Sequence, residues 1–280
     1  MDYGISIRLV LVADSGIGLE WHPPTPALPR STGGGGKVGV VMKTLGVILA
    51  RAGSVGLRNK HMLPLLERPV IEYTFDHALS ARTLSKIVVS TDCPQVRRLA
   101  ANRGLTVIDR PARLATSDAS VQGAMLHAME QTEIGGFLPE ALVVLYGNVP
   151  VRGDGVIDRA VEHLHATGCD SVRSFCPVGK WHPAWMSRLE KDVVVPLYPG
   201  SVHRRQDLPP VFLHDGAVVA VTRKSMMRGW TSPDDPHAFF GVDRRGIETE
   251  MGETVEIDHQ RDLYWAEAVL RGRTEFSKVA

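Results

Sequence analysis

The sequence predicts an α/β protein: a mainly parallel central sheet with helices on both faces and a small antiparallel excursion in the last third. Three observations lead there. From residue 42 onward, short β-branched runs alternate with segments of helical period. These runs are apolar along their whole length, as strands covered on both faces are. In the final third the texture changes to strand-like runs with turns between them. Strand–helix alternation at this spacing implies right-handed βαβ crossovers.

In order, residues 45–50 form the first buried strand, and 70–84 read as a helix through Ile71, Phe75, Ala78 and Leu79. Residues 86–90 are a second strand, 94–102 a helix, 106–108 extended, 120–131 a helix and 141–145 a strand. A helix over 155–166 and a strand over 170–175 follow. Residues 193–195, 211–213, 217–222 and 254–257 are strand-like, which places an antiparallel excursion or edge there. A helix over 261–270 closes the pattern.

Before this unit, residues 5–18 carry a short strand signal. Residues 22–37 hold four prolines and four consecutive glycines, a composition that cannot repay its ordering entropy by burial. Residues 1–41 therefore read as a flexible extension and linker, or as the product of a start codon assigned too early, with Met42 the working start. Residues 42–272 are the functional domain and 273–280 a tail.

The 280 residues are 44% hydrophobic and 22% charged, with a net charge of +1. There is thus no global field to draw nucleic acid or a membrane surface, and any anion recognition must be local. Cys93, Cys169 and Cys176 form no C-x-x-C pair, so neither a disulfide framework nor a zinc knuckle is indicated, and a reducing cytoplasm fits best. No apolar run approaches the roughly 20 residues that cross a bilayer.

The strongest chemical signal is the first strand-to-loop junction, residues 49–60, LARAGSVGLRNK. In an open parallel sheet, ligands bind beyond the carboxyl ends of the strands, where glycines let backbone N–H groups approach an anion. Arg51, Arg58 and Lys60 could neutralise a polyphosphate there; an ordinary glycine turn with solvated basic residues reads the same way. The P-loop and the G-x-G-x-x-G fingerprint are both absent. Residues 52–56 lie one substitution from the G-x-S-x-G elbow of α/β-hydrolases, which would make Ser54 a nucleophile, but that elbow normally follows several strands.

The second signal is residues 254–258, TVEID. On a strand, Glu256 and Asp258 share one face while Val255 and Ile257 pack on the other. Paired carboxylates suit Mg²⁺, although a half-exposed strand shows the same alternation. Between the two signals, Arg204, Arg205 and Gln206 offer bidentate donors for a carboxylate or polyol, and Trp181, His182 and Trp185 could wall a sugar. The histidines form no zinc motif.

Taken in order, these segments resemble the CMP-sialic acid synthetases (acylneuraminate cytidylyltransferases) and their nonulosonate and deoxyoctulosonate relatives. The matching pieces are ILARAGSVGLRNK at 48–60, IVVSTD at 87–92, RPARLAT at 110–116, RRQDLPPVF at 204–212 with DGAV at 215–218, and VEIDHQRDL at 255–263. The resemblance implies a nucleotide-diphospho-sugar transferase type of fold, often a homodimer in which a late insertion reaches across to the partner. It implies transfer of CMP from CTP to an acidic nine-carbon sugar, with Mg²⁺ and release of pyrophosphate. Arg51, Lys60 and Asp258 would carry the chemistry, and Glu256 with Asp258 would hold the metal. Ala50, Gly53, Ser54, Arg58, His61, Arg110, Ala115 and Ser120 would complete the nucleotide site, and Arg204, Arg205 and Gln206 the sugar site.

Departures from the family pattern mark a divergent member. Val55 stands for a loop lysine, which Arg58 would replace, and His61 for an asparagine expected to meet the base. Residues 146–150, YGNVP, stand for Gln-Pro-Thr-Ser-Pro, Glu256 for an aspartate, and Asp215 for an asparagine. A 3-deoxy-manno-octulosonate cytidylyltransferase and a non-catalytic nucleotide or sugar binder are the alternatives; the R-R-Q-x-L-P segment favours a nonulosonate.

Overall fold

The computed structural model describes residues 10–11, 17–18, 42–53, 56–198 and 204–276. The chain divides into two units, Met1–Val40 and Val41–Ala280. In the first, Val10–Leu11 pairs antiparallel with Ile17–Gly18. The linker over 22–37 lies outside the described residues, and Met42 opens the described part of the second unit.

The second unit is built on one seven-stranded sheet. Its strands are β1 (Thr44–Ala50), β2 (Lys86–Thr91), β3 (Thr106–Asp109), β4 (Ala141–Tyr146), β5 (Ser171–Pro177), β6 (Phe212–Thr222) and β7 (Arg244–Glu248), in the spatial order β7-β5-β6-β4-β1-β2-β3. All run the same way except β6, which lies antiparallel between β4 and β5. The antiparallel strand is thus inside the sheet and not at its edge. The runs at 211–213 and 217–222 are one strand, broken by a register shift between His214 and Val219 where Gly216 takes a φ of +77°.

Strand alternation explains how the sheet is covered. Leu45, Val47 and Leu49 of β1 face one core, with Met125 and Met129 of α3 (Val121–Ile134). Ile48 and Ala50 face the other, with Phe75 of α1 (Val70–Ser80), Val96 of α2 (Pro94–Asn102) and Leu164 of α4 (Val156–Thr167). Every residue of β1 is buried. Burying a Leu, Ile or Phe side chain contributes roughly 1.5–3 kcal/mol, so this strand anchors the unit. The chain lays β1, β2 and β3 outward in one direction, then returns to place β4 on the other side of β1. That reversal opens a crevice beyond the ends of β1 and β4, where open α/β sheets bind ligands.

Several elements differ from their sequence signals for visible reasons. The helix read over 70–84 stops at Ser80, and Ala81 is extended. The chain beyond is captured by Asp158, which accepts from the Thr83 N–H at 2.9 Å and the Thr83 hydroxyl at 2.8 Å. The strand read over 254–257 is a single bridge, Val151 to Val255. Val255 and Ile257 donate to the carbonyls of Val151 and Asn148 at 3.2 and 2.8 Å, two residues on one side against three on the other, so the register slips and no longer ladder forms. The alternation survives: Val255 and Ile257 are buried while Glu256 and Asp258 are exposed. Strand β7 left no signal, because an exposed RRGIE edge has no apolar alternation. Residues Val193–Pro196 pair with Ser187–Glu190 in a separate exposed hairpin. The closing helix, α5, spans Gln260–Phe276 and packs Leu263 and Ala266 against Val255 and Ile257.

Candidate active site

Beyond Ala50 the chain leaves the sheet as a turn that starts with Arg51. Asp92, just after β2, accepts from the Ala52 N–H at 2.8 Å and ties the turn down. The Arg51 guanidinium donates to the Thr116 carbonyl at 3.0 Å. The turn ends in a short 3₁₀ segment, Lys60–Met62, entered through Asn59 in the left-handed region at φ 53°. Ser54 and Val55 lie outside the described residues. On the opposite wall, the Lys60 ammonium sits 2.7 Å from Asp258 Oδ1. A Cβ on Gly56 would lie 3.1 Å from the Asp258 carbonyl, so the basic turn packs directly on the acidic segment.

Asn148 joins these parts. It is buried at the end of β4, and its side-chain amide donates to Glu256 Oε1 at 3.0 Å, the Ile257 carbonyl at 3.1 Å and Asp258 Oδ1 at 3.4 Å. A single amide thus spans both carboxylates. The resulting cavity, about 160 Å³, is lined by Arg51, Lys60, His61, Arg110, Tyr146, Asn148 and Glu256, with Leu114, Val121 and Ala124 on an apolar wall. Ser120 also faces it and caps α3, its hydroxyl accepting from the Gly123 N–H at 3.0 Å. Larger cavities of about 360 and 660 Å³ lie beside Arg152–Asp158 and beside Glu248–Glu253, but neither brings the basic turn and the acid pair together.

The electrostatics follow from burial. His61 is pushed down to about 3 by burial and then by the charges of Lys60 and Arg110, so it is a neutral imidazole at physiological pH. Burial brings Arg110 down to about 10, which leaves it charged at pH 7. Its guanidinium is held by the Ser90 hydroxyl at 3.1 Å and the Ser90 carbonyl at 2.8 Å. Burial and then the Glu256 charge push Tyr146 up to about 12, making it a neutral phenol. Behind the site, Arg152 is fully buried, reaching the carbonyls of Ala217 and Tyr146 at 2.8 and 2.9 Å and the Thr74 hydroxyl at 3.1 Å. Burial lowers it to about 9 while Glu256 and Asp215 pull it back up. Burial alone would raise Asp215, but bonds from Ser174, Thr249, the Ala217 N–H and Thr254 hold it below the ordinary carboxylate range. It therefore serves the β6 bulge as a fully bonded anion.

Of the residues singled out from sequence, Arg51, Lys60, His61, Arg110, Ser120 and Glu256 line one cavity, and Asp258 joins it through Lys60 and Asn148. Ala50 is buried beneath it, while Gly53 and Arg58 are exposed and outside its lining. Ala115 closes the turn after Leu114 through a bond to the Ala112 carbonyl at 3.0 Å and does not line it. Arg204, Arg205 and Gln206 are exposed and also absent from that lining; Arg204 pairs with Asp207 at 2.8 Å. Sequence reasoning assigned no role to Asp92, put Thr116 only within the 115–120 loop expected at the cytidine, and tied Asn148 only to altered base or ribose contacts, not to the acid pair. For Asp92 and Asn148 the available signal was position, immediately past the carboxyl ends of β2 and β4.

The donor set suits a hard divalent ion. Among the described residues no group of three or more His, Cys, Asp or Glu side chains comes together, whereas Mg²⁺ usually takes one or two carboxylates and completes its shell with substrate phosphates and water. Glu256 and Asp258, spanned by one amide beside Arg51 and Lys60, match that pattern.

The cytidylyltransferase family profile matches residues 45–229. The chain belongs to the cytidylyltransferase family. It is 31% identical over 191 residues to an N-acylneuraminate cytidylyltransferase of Streptococcus agalactiae serotype III (strain NEM316), covering 67% of this chain and 45% of that protein. It thus spans somewhat under half the length of these curated relatives. It is 26% identical over 228 residues to the CMP-N,N'-diacetyllegionaminic acid synthase of Legionella pneumophila, covering 80% of this chain and 94% of the relative. A solved structure of CMP:2-keto-3-deoxy-manno-octonic acid synthetase complexed with CTP superposes with a TM-score of 0.64 at 17% identity, covering 82% of this chain and 99% of that one. A 4-diphosphocytidyl-2C-methyl-D-erythritol synthase from Anaerococcus prevotii gives 0.59 at 13%, covering 82% and 99%. Both establish the fold. No helix among the described residues is long and apolar enough to cross a membrane.

Proposed function

We propose that this chain transfers CMP from CTP to the anomeric hydroxyl of a nonulosonic, sialic-type acid and releases pyrophosphate. The observation that carries the reading is the 2.7 Å approach of Lys60 to Asp258, which puts the basic turn and the acid pair on either side of one cavity. The relatives named for acylneuraminate and diacetyllegionaminate support the substrate class.

In this reading Arg51 and Lys60 grip the triphosphate, and Arg110 with the Ser120 end of α3 faces the cytidine against Leu114, Val121 and Ala124. The sugar oxygen forms a bond to the α-phosphorus, the bond from that phosphorus to the bridging oxygen breaks, and pyrophosphate departs while the hydroxyl proton is released. Such transfers depend on positioning and on charge neutralisation more than on covalent help from the protein. Mg²⁺ held by Glu256 and Asp258 would neutralise phosphate oxygens when bound. Neutral His61 would meet the nucleotide as a hydrogen-bonding group and adds no repulsion to the cationic side of the cavity.

The same reading makes the protein a homodimer. The hairpin and its surroundings leave Leu189, Val194 and Leu213 exposed at 71%, 64% and 62%, and a second copy covering them would bring new groups toward Arg204, Arg205 and Gln206. The three cysteines, all free, suit a cytoplasmic enzyme. The test is pyrophosphate release with CTP, Mg²⁺ and a panel of nonulosonic acids. Release with at least one member is expected; CTP binding without release across the panel would leave a binding protein, and release only with 3-deoxy-manno-octulosonate would change the substrate.

A further inference from the structure

Asp258 is not waiting with bare oxygens for a cation: its Oδ1 already takes the Lys60 ammonium at 2.7 Å and the Asn148 amide at 3.4 Å. The two donors differ in freedom. Asn148 is buried, its amide also bonded to Glu256 and to the Ile257 carbonyl, and its own carbonyl accepts from the Ile257 N–H at 2.8 Å. Lys60 reaches Asp258 on a flexible four-carbon stem, with 19% of its side chain exposed against 51% for Asp258. A divalent ion approaching that oxygen can displace the second and not the first.

We propose that Lys60 is a tethered counter-cation of Asp258, which a divalent metal displaces and the triphosphate then takes up. The inference rests on the metal reading of Glu256 and Asp258. Metal alone must expel an ammonium that has no new partner, so it binds weakly. When a triphosphate enters the same cavity, the freed ammonium lies among its oxygens, beside Arg51, and the two ligands favour each other. Asn148 acts throughout as a positioning residue that keeps the two carboxylates at a fixed spacing. A part-exposed ion pair is worth up to about 1 kcal/mol, or about fivefold in an equilibrium, so the device tunes the order of binding and does not block it.

Two measurements on the full chain test this. Free Mn²⁺ is titrated without nucleotide into wild type, Lys60→Met, Lys60→Gln, Lys60→Arg and Asp258→Asn, each checked for folding by thermal melting. Lys60→Met and Lys60→Gln should bind about twofold to fivefold more tightly than wild type, and Lys60→Arg close to wild type. In parallel, Lys60 acetylation by acetic anhydride is followed by peptide mass spectrometry in wild type. Mg²⁺ alone should raise its labelling several-fold, because an amine released from Asp258 is open to the reagent, and Mg²⁺ with CTP should lower it again. Lys60 variants that bind Mn²⁺ no tighter than wild type, or Lys60 labelling that Mg²⁺ leaves unmoved, overturn the handover. Wild-type Mn²⁺ affinity in Asp258→Asn overturns instead the metal site on which it rests.

Discussion

The crevice at the ends of β1 and β4 and the surface around the Ser187–Pro196 hairpin are built in opposite ways. In the crevice each charged group is held by the chain's own partners: Arg51 by Thr116, Arg110 by Ser90, Lys60 by Asp258, and Glu256 by Asn148. Around the hairpin, Leu189 and Val194 face solvent, and exposed Arg204 pairs with its sequence neighbour Asp207. A nucleotide can thus meet a preorganised site within one chain, which is where electrostatic stabilisation of a transition state is most effective. In the proposed function the sugar end would gain its definition from the second copy that covers it. The two halves should respond differently to substitution.

The largest difference is expected at Asp258→Asn. Removing the charge should cut pyrophosphate release by at least about 100-fold while thermal melting stays near wild type, since Asp258 is exposed. Turnover within a few-fold of wild type would break the assignment of the acidic segment to the nucleotide half. Next comes Arg51→Ala, where losing one charged donor should raise the KM for CTP about tenfold or more and leave the KM for the sugar almost unchanged. Equal losses for both substrates would merge the two halves and make Arg51 structural.

The hairpin offers the reverse case. Replacing Leu189 and Val194 together by aspartate should convert a dimer to a monomer in sedimentation, raise the KM for the sugar about tenfold and spare CTP binding. A monomeric wild type, or a dimer untouched by the double change, would remove the second copy from the account. The smallest effect at neutral pH belongs to His61. Its folded-state value of about 3 against 6.5 unfolded means that the unfolded chain binds the extra proton. The neutral ring's contribution is therefore intact above pH 6.5 and is lost progressively as pH falls toward 3. At pH 5 that loss is on the order of 2 kcal/mol. His61→Gln should flatten the fall of the melting temperature between pH 7 and 5, and an unchanged slope would place His61 in water.

The parts of the protein that period and charge could reveal are those where one residue's neighbours in sequence decide its environment. Strand β1 reads as a buried run because all of its side chains are buried, and α2 was legible to the residue because Pro94 pre-sets its first turn. The basic turn and the acid pair were visible as compositions, and their convergence was implied by the family resemblance. What stayed hidden depends on partners distant in the chain. Asn148 meets Glu256 and Asp258 from more than a hundred residues away, and nothing in YGNVP announces it. The 70–84 helix was overrun because its end is set by Asp158, and the 254–257 ladder because the facing segment slips by one residue between Val151 and Asn148. Polar, exposed β7 pairs with β5 through backbone groups that every sequence carries.

Crystals of the protein with CTP and Mn²⁺, read by anomalous scattering at the manganese edge, test most directly whether one triphosphate joins the two walls. The account predicts a manganese peak between Glu256 and Asp258, with phosphate oxygens completing its shell and Arg51 and Lys60 on the same triphosphate. A nucleotide seated in the crevice with its phosphates turned away from the acid pair, or manganese bound elsewhere, would contradict it.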